Sequence, residues 1–369
     1  MKWLAALAAA VFLLSGCNTT EKPKPTPLQA FEPSIAGRQV WSAKVDSVRF
    51  PLVIAARDGK FFVAGTDGTV LALDASSGNQ VWRADAKAPI SAGVGSDGRF
   101  VSVVTRNNEV VAFDNGKEVW RKRVPSRVVT APLVAGERVF VVGVDRVVHA
   151  FDAIDGRRLW TLQRPGDALT LSQGSVITVY RNTLLVGQGA RLTAVDPMQG
   201  TVVWEVPLAS PRGTNEVERL ADLIGPAVRV GSRVCARAFQ SAVGCADASR
   251  GTLLWSRNVG GIEAAGGDAE RIFGADGSGR INAWNASNGE LVWTSERLLH
   301  RGLSGALGVG TSVLFGDQEG YLHFLAATTG ELQLRLPTDG APVVGVPALS
   351  GTTILVATER GGLFALRPN

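Results

Sequence analysis

The sequence predicts an all-β protein: an eight-bladed β-propeller of four-stranded antiparallel blades, with the last blade closed by an N-terminal strand. Three observations lead there. A motif returns about every 40 residues, each repeat alternates apolar and polar residues between glycine turns, and each end of the chain carries half a repeat.

The motif is clearest in the first half. Val70-Leu-Ala-Leu-Asp74 with Gly78-Asn-Gln-Val-Trp82 returns as Val110-Val-Ala-Phe-Asp114 with Gly116 and Trp120. It returns again as Val148-His-Ala-Phe-Asp152 with Gly156 and Trp160, and as Leu192-Thr-Ala-Val-Asp196 with Gly200 and Trp204. Weaker copies are Val243-Gly-Cys-Ala-Asp247 with Gly251 and Trp255, and Ile281-Asn-Ala-Trp-Asn285 with Gly289 and Trp293. The seventh, Leu322-His-Phe-Leu-Ala326 with Gly330, has Leu334 in the tryptophan position.

Within a repeat, Phe61-Phe-Val-Ala64, the turn Thr66-Asp-Gly-Thr69 and Val70-Leu-Ala-Leu73 read as a hairpin. The turn Asp74-Ala-Ser-Ser-Gly78 leads to a strand bearing Trp82, and a segment such as Ala131-Pro-Leu-Val134 supplies the fourth strand. The aspartate is expected to accept turn N–H groups, the glycine to take a positive φ, and the tryptophan to pack between blades with its indole N–H paired.

The ends complete the count. An eighth copy begins at Gly362-Leu-Phe-Ala-Leu366 and stops, while Gly37-Arg-Gln-Val-Trp41 near the start repeats its missing half. The ring closes if these strands share a blade, which removes exposed sheet edges.

Composition agrees. Hydrophobic residues at 45% and charged residues at 19% allow a sizeable core, and 43 glycines suit many tight turns. The net charge of +5 is mild, and the 38 basic residues are interleaved with 33 acidic ones. That argues for a solvated mixed surface and against nucleic-acid binding, which concentrates cations on one element.

The N-terminus sets the compartment. Lys2 precedes the apolar run Leu4–Leu14, too short to span a bilayer and suited to a secretory signal. Leu14-Ser15-Gly16-Cys17 resembles the lipobox of bacterial lipoproteins, which makes residues 1–16 a signal peptide and Cys17 the lipidation site. Asn18 in place of an aspartate points to the outer membrane, with the protein facing the periplasm. An ordinary secretory signal with an incidental cysteine is the alternative. Residues 17–35, polar and proline-rich, read as a tether reaching about 50 Å at about 3.1 Å per residue, with the propeller filling 36–369.

The chemistry-bearing residues of the sequence form no catalytic or metal-binding constellation. His149, His300 and His323 fall in different repeats without second ligands at metal spacing, and the first and last lie within strand patterns. No Gly-x-Ser-x-Gly, phosphate loop or dinucleotide fingerprint occurs. The Asp-Gly pairs at Asp58, Asp67, Asp97 and Asp276 read as hairpin turns. The expectation is a non-enzyme with no catalytic residue, metal or cofactor.

Cys235 and Cys245 align with Phe273 and Ala283 of the sixth repeat, on neighbouring strands of one hairpin. Opposed Cβ atoms about 4.5–5.5 Å apart are near disulfide range, so in an oxidising periplasm a bond is expected, the alternative being two buried thiols.

The Ala-x-Asp-x-x-x-Gly-x-x-x-Trp pattern resembles the tryptophan-docking repeats of pyrroloquinoline-quinone dehydrogenases. With the lipobox and eight blades, nearly all of the mature chain more closely resembles the BamB family of propeller lipoproteins. Leu298-Leu-His-Arg301, Gly316-Asp-Gln-Glu-Gly-Tyr-Leu-His323 and Glu216-Val-Glu-Arg-Leu-Ala-Asp222 carry that likeness. The resemblance implies a scaffold of the outer-membrane barrel assembly (BAM) machinery that binds the periplasmic domains of BamA and other subunits, with unfolded barrel clients as further candidate partners.

It also implies a partner-binding surface on loops matching Ala168-Leu-Thr-Leu-Ser172 and Arg219-Leu-Ala-Asp222. Leu169, Leu171 and Asp222 keep the family's residue types, while Ser172 stands in place of an arginine and Ile224 in place of an aspartate. Independently, the longest interval between tryptophan marks, Trp204 to Trp255, contains the extra segment Pro207 to Gly225 with Arg212, Glu216, Glu218, Arg219 and Asp222. An insertion confined to one connection maps to one face and often carries function, although a tolerated surface loop would look the same.

Two other functions fit a periplasmic propeller. One is a module binding a small molecule or glycan in the central channel. The other is a quinone-dependent dehydrogenase, which the absent Cys-Cys pair and the short chain disfavour.

Overall fold

The computed structural model describes residues 23–164, 170–211 and 213–368. Its 32 strands form eight separate four-stranded antiparallel sheets, and no helix occurs among the described residues. Blade 1 comprises β2 (Ala55–Arg57), β3 (Lys60–Ala64), β4 (Thr69–Asp74) and β5 (Gln80–Asp85) in order from the channel outward. Blades 2 to 7 repeat this order. Blade 8 takes three strands from the C-terminus, β30 (Val343–Ser350), β31 (Thr353–Thr358) and β32 (Gly362–Pro368), and its outer strand from the N-terminus, β1 (Gly37–Lys44). Ser42 pairs with Phe364 and Lys44 with Gly362, closing the ring as the half-repeats require.

Burial follows sequence. The middle strands are mostly apolar and lie between neighbouring blades: β4 is buried from Thr69 to Leu73. Outer strands alternate, so β5 leaves Val81, Arg83 and Asp85 exposed and turns Trp82 and Ala84 inward. Core clusters span the seams, as where Phe61 and Leu71 of blade 1 pack with Leu355 and Leu363 of blade 8. Burial of such apolar surface at about 25 cal/mol per Å² drives the ring together.

A repeated tryptophan–glycine contact locks seven of the eight seams. Trp255 of blade 5 lies over Gly289 of blade 6 and donates its Nε1–H to the Ala286 carbonyl at 2.9 Å. Gly289 has φ +70° and a Cβ there would lie 2.5 Å from the indole, so both conformation and contact demand glycine. The Asp74 carboxylate accepts from the hydroxyls and backbone N–H groups of Ser76 and Ser77, which holds its pKa at about 2.

Every blade has two ends. Turns between second and third strands, together with the connections from one blade's outer strand to the next blade's first strand, lie on one face, called upper here. The first-to-second and third-to-fourth turns lie on the lower face.

The tether expected to run to residue 35 is shorter than the sequence suggested, because its apolar residues find sites on the ring. Thr26 N–H donates to Leu299 O, and Arg301 Nη1 donates to Thr26 O at 2.9 Å, both on the upper face. Leu28 packs against the cluster between blades 6 and 7. The Arg335 guanidinium lies over the Phe31 ring at 5.1 Å and donates to Gln29 O. Ser34 N–H donates to Gln333 O near the lower face, and Ile35 joins the cluster between blades 7 and 8. Residues 26–35 are therefore a strap laid down the outer edge of blade 7.

Arg301 itself is held by Asp317, whose Oδ2 accepts from its Nε at 2.7 Å and from His323 Nε2 at 2.9 Å. Burial alone would raise the Asp317 carboxyl, but the hydrogen bonds from His323, the Tyr321 N–H and Arg301 outweigh it and hold it below the usual range.

Candidate protein-docking site

The insertion resolves as the connection between β17 (Val202–Pro207) of blade 4 and β18 (Leu223–Val230) of blade 5, residues 208–222. Its middle is a single turn. Asn215 Oδ1 accepts from Glu218 N–H at 2.9 Å, and Glu218 Oε2 accepts from the Thr214 N–H and hydroxyl. These two donations, the backbone one foremost, hold the Glu218 carboxyl below the usual carboxylate range. Glu218 thus shapes the turn, while Val217 beside it is 71% exposed, an apolar side chain turned outward.

Asp222 anchors the end of the insertion. Its Oδ2 accepts from the Leu171 N–H at 3.1 Å and its Oδ1 from Arg146 Nη2 at 3.1 Å, with both charged side chains only 14% exposed. Leu171 belongs to the connection from blade 3 to blade 4, and Arg146 to the second turn of blade 3. One carboxylate therefore ties the two connections and three neighbouring blades into one surface. Charge-assisted hydrogen bonds of this kind are worth about 1.5–3 kcal/mol each.

Beside this clasp lies a groove of about 640 Å³, lined among others by Arg146, Arg164, Arg191, Arg219, Glu205 and Glu216. Glu205 pairs with both Arg164 and Arg191. The exposed Arg219 side chain forms no ion pair among the described residues, so it is available to an incoming carboxylate.

Among the sequence-predicted residues, the structure brings Leu171, Arg219 and Asp222 together on the upper face, with Ser172 exposed next to Leu171. Leu169, Arg212 and Cys17 lie outside the described residues. Ile224 is buried, paired with Arg237 in the sheet. Sequence reasoning missed Arg146. A signal was present: Asp145-Arg146 stands where the first repeat has Asp67-Gly68, and Arg146 takes φ +63°, a conformation few side chains adopt without cause.

Cys235 and Cys245 oppose each other on β19 (Arg233–Ala238) and β20 (Ala242–Asp247), with Cα atoms 4.0 Å apart and their sulfurs joined. His149 and His323 are buried, and in both burial foremost lowers the imidazole pKa. No group of three or more His, Cys, Asp or Glu is placed to hold a metal among the described residues.

The central channel, about 500 Å³, is walled by all eight blades and mostly apolar, through Leu52, Ile54, Ile262 and Val346. Glu263 faces it, and burial pushes its carboxyl up to about 7 despite the charge of Arg237. Arg237 is fully buried, and burial draws its pKa down to about 10.

The chain is similar to known proteins along most of its length. The family model described as outer membrane protein assembly factor BamB matches residues 28–92, 66–295 and 277–368. An outer membrane protein assembly factor BamB from Burkholderia pseudomallei is 32% identical, covering 98% of this chain and 97% of that protein. The crystal structure of BamB from Moraxella catarrhalis superposes with a TM-score of 0.81 at 22% identity, over 90% of this chain and 99% of the other, which shows the shared fold. A quinohemoprotein alcohol dehydrogenase from Comamonas testosteroni superposes with a TM-score of 0.66 at 17% identity, over 90% of this chain and 76% of that one. That likeness extends to the ring and no further.

Proposed function

The chain belongs to the family of outer membrane protein assembly factors described as BamB, and on that premise we propose that it is a non-enzymatic scaffold of barrel assembly. In this reading Cys17 carries lipid, anchors the protein in the outer membrane and leaves the propeller in the periplasm. The upper-face surface at blades 3 to 5 binds the periplasmic domains of BamA and thereby holds the propeller within the BAM machinery.

The observation that carries the reading is Asp222 bonded at once to Leu171 and Arg146. A loop tied down in this way presents its outward groups without the entropy cost of ordering them on binding. Those groups are an apolar side chain, Val217, and a cation, Arg219, beside a polar groove. Apolar anchors with a charged rim suit a folded protein partner better than a small metabolite.

A soluble form starting at residue 18 should capture purified BamA periplasmic domains. The double variant Val217→Asp with Arg219→Glu, altering exposed side chains only, should abolish capture and leave the unfolding midpoint unchanged. Undiminished capture by that variant would place the partner elsewhere on the ring.

A further inference from the structure

From the path of the strap we infer that the upper margin of blades 6 and 7 is the part of the ring that meets the bilayer surface, so a partner seated on the upper face lies on the membrane side of the propeller. The inference rests on lipidation at Cys17 and adds an orientation to it.

The chain is fixed to the upper face at Thr26 by two hydrogen bonds, one of them from Arg301, whose side chain is 2% exposed and itself held by Asp317. Leu299 and Arg301 lie in the connection from blade 6 to blade 7, the same class of connection as the insertion between blades 4 and 5. Strap exit and docking loops thus share a face.

The sequence between Cys17 and Thr26 is short, eight residues. At about 3.1 Å per residue it reaches about 28 Å, roughly half of what an undocked chain to residue 35 would allow. The blade wall next to the exit, β29 (Leu332–Pro337), is six residues long and so about 20 Å tall at about 3.3 Å per residue. Passing around that wall to present the lower face would consume most of the leash. Presenting the upper margin consumes none of it. Around the exit, Lys24 and Arg297 are exposed and have no ion-pair partner among the described residues, and Lys22 precedes them in sequence. Cations so placed favour a surface of anionic headgroups.

The test uses the full-length lipidated protein in phosphatidylcholine vesicles containing phosphatidylglycerol and a headgroup-labelled acceptor lipid. Fluorophores are placed through Gly277→Cys, exposed on the upper face of blade 6 with open space around its Cβ, or Thr328→Cys, exposed on the lower face of blade 7. Energy transfer to the membrane should be at least twofold stronger from position 277 than from 328. In vesicles of phosphatidylcholine alone, where the exit cations find no anionic headgroups, inserting a long Gly-Ser segment after Asn18 should erase the difference. Equal or reversed transfer with the native leash overturns the orientation, as does a difference that survives the long leash in phosphatidylcholine alone. If wild type fails to float with the vesicles, or Cys17→Ala floats as well as wild type, the lipid-anchor reading itself fails and the orientation falls with it.

Discussion

Leu334 of blade 7 packs against Gly37 of blade 8, its Cδ2 3.1 Å from where a Cβ on Gly37 would lie. At each of the seven other seams a tryptophan fills this place, as Trp41 does over Gly78 and Trp293 over Gly330. The seam without tryptophan joins blade 7 to blade 8, the blade in which the chain's two ends pair. Leucine fills less of it, and Ile35 of the strap packs into the same cluster as Leu334. The strap therefore completes the ring where the repeat is weakest.

Truncating that contact should loosen the closure. Ile35→Ala with Phe31→Ala is expected to lower stability by about 1–3 kcal/mol, since both side chains are only half-buried and fall short of a full core deletion. Urea unfolding monitored by tryptophan fluorescence would check it; an unchanged midpoint would mean the strap rests on the ring without supporting it.

Glycines of the same φ should differ sharply in tolerance. Gly289→Ala meets the Trp255 ring at 2.5 Å, whereas Gly136→Ala, at φ +58°, meets nothing within 4 Å. Both incur a left-handed backbone cost of about 1–2 kcal/mol, but only the first adds about 1–3 kcal/mol of overpacking. Trp255→Ala, deleting a 5%-exposed indole and its hydrogen bond, should cost about 3–5 kcal/mol. Equal midpoints for the two alanine variants would remove the seam lock from the account.

The ring was legible in the sequence because every blade solves the same packing problem with the same residues, so the period, the turns and even the shared last blade were written in letters such as Gly78 and Trp82. The strap was not. Pro23, Pro25 and Pro27 mark an extended chain, but extended backbone is equally compatible with a free leash and with a docked one. What decides is Arg335, some 300 residues away, placing its guanidinium over Phe31. The proposed docking surface was legible as an insertion and a resemblance. Arg146 was legible only as a departure from the first repeat's Asp67-Gly68; its pairing with Asp222, 76 residues away, leaves no local spacing to read.

The disulfide has a direct chemical test. Alkylation of the denatured, unreduced protein should leave Cys235 and Cys245 unlabelled by mass spectrometry, and reduction should expose both. Replacing both by serine should cost about 2–3 kcal/mol, as the bond closes a short loop of sequence separation 10. Labelling of both thiols without reductant would show that they stay apart.

Asp222→Ala should act locally. Losing the acceptor for the Leu171 N–H and one partner of Arg146 frees the loop end at a cost of about 1–3 kcal/mol. Hydrogen exchange at the Leu171 amide should accelerate by tenfold or more while the blade strands keep their protection. Unchanged exchange at Leu171 would mean that other contacts fix this loop.

Glu263 gives a prediction with a sign. Burial raises its carboxyl from 4.5 to about 7, so between these values the folded protein holds a proton that the unfolded chain has released. A folded state that binds more protons loses stability as pH rises, and this loss develops from about pH 4.5 and is complete above about pH 7. Glutamine at 263 cannot ionise and escapes it. Glu263→Gln should therefore gain on wild type between pH 5 and pH 8, by about 1–3 kcal/mol in urea unfolding. The buried histidines give an opposite slope, losing stability as pH falls through their lowered values, but they are common to both proteins and cancel in the difference. A difference independent of pH would show that the channel wall leaves this carboxyl as acidic as it is in water.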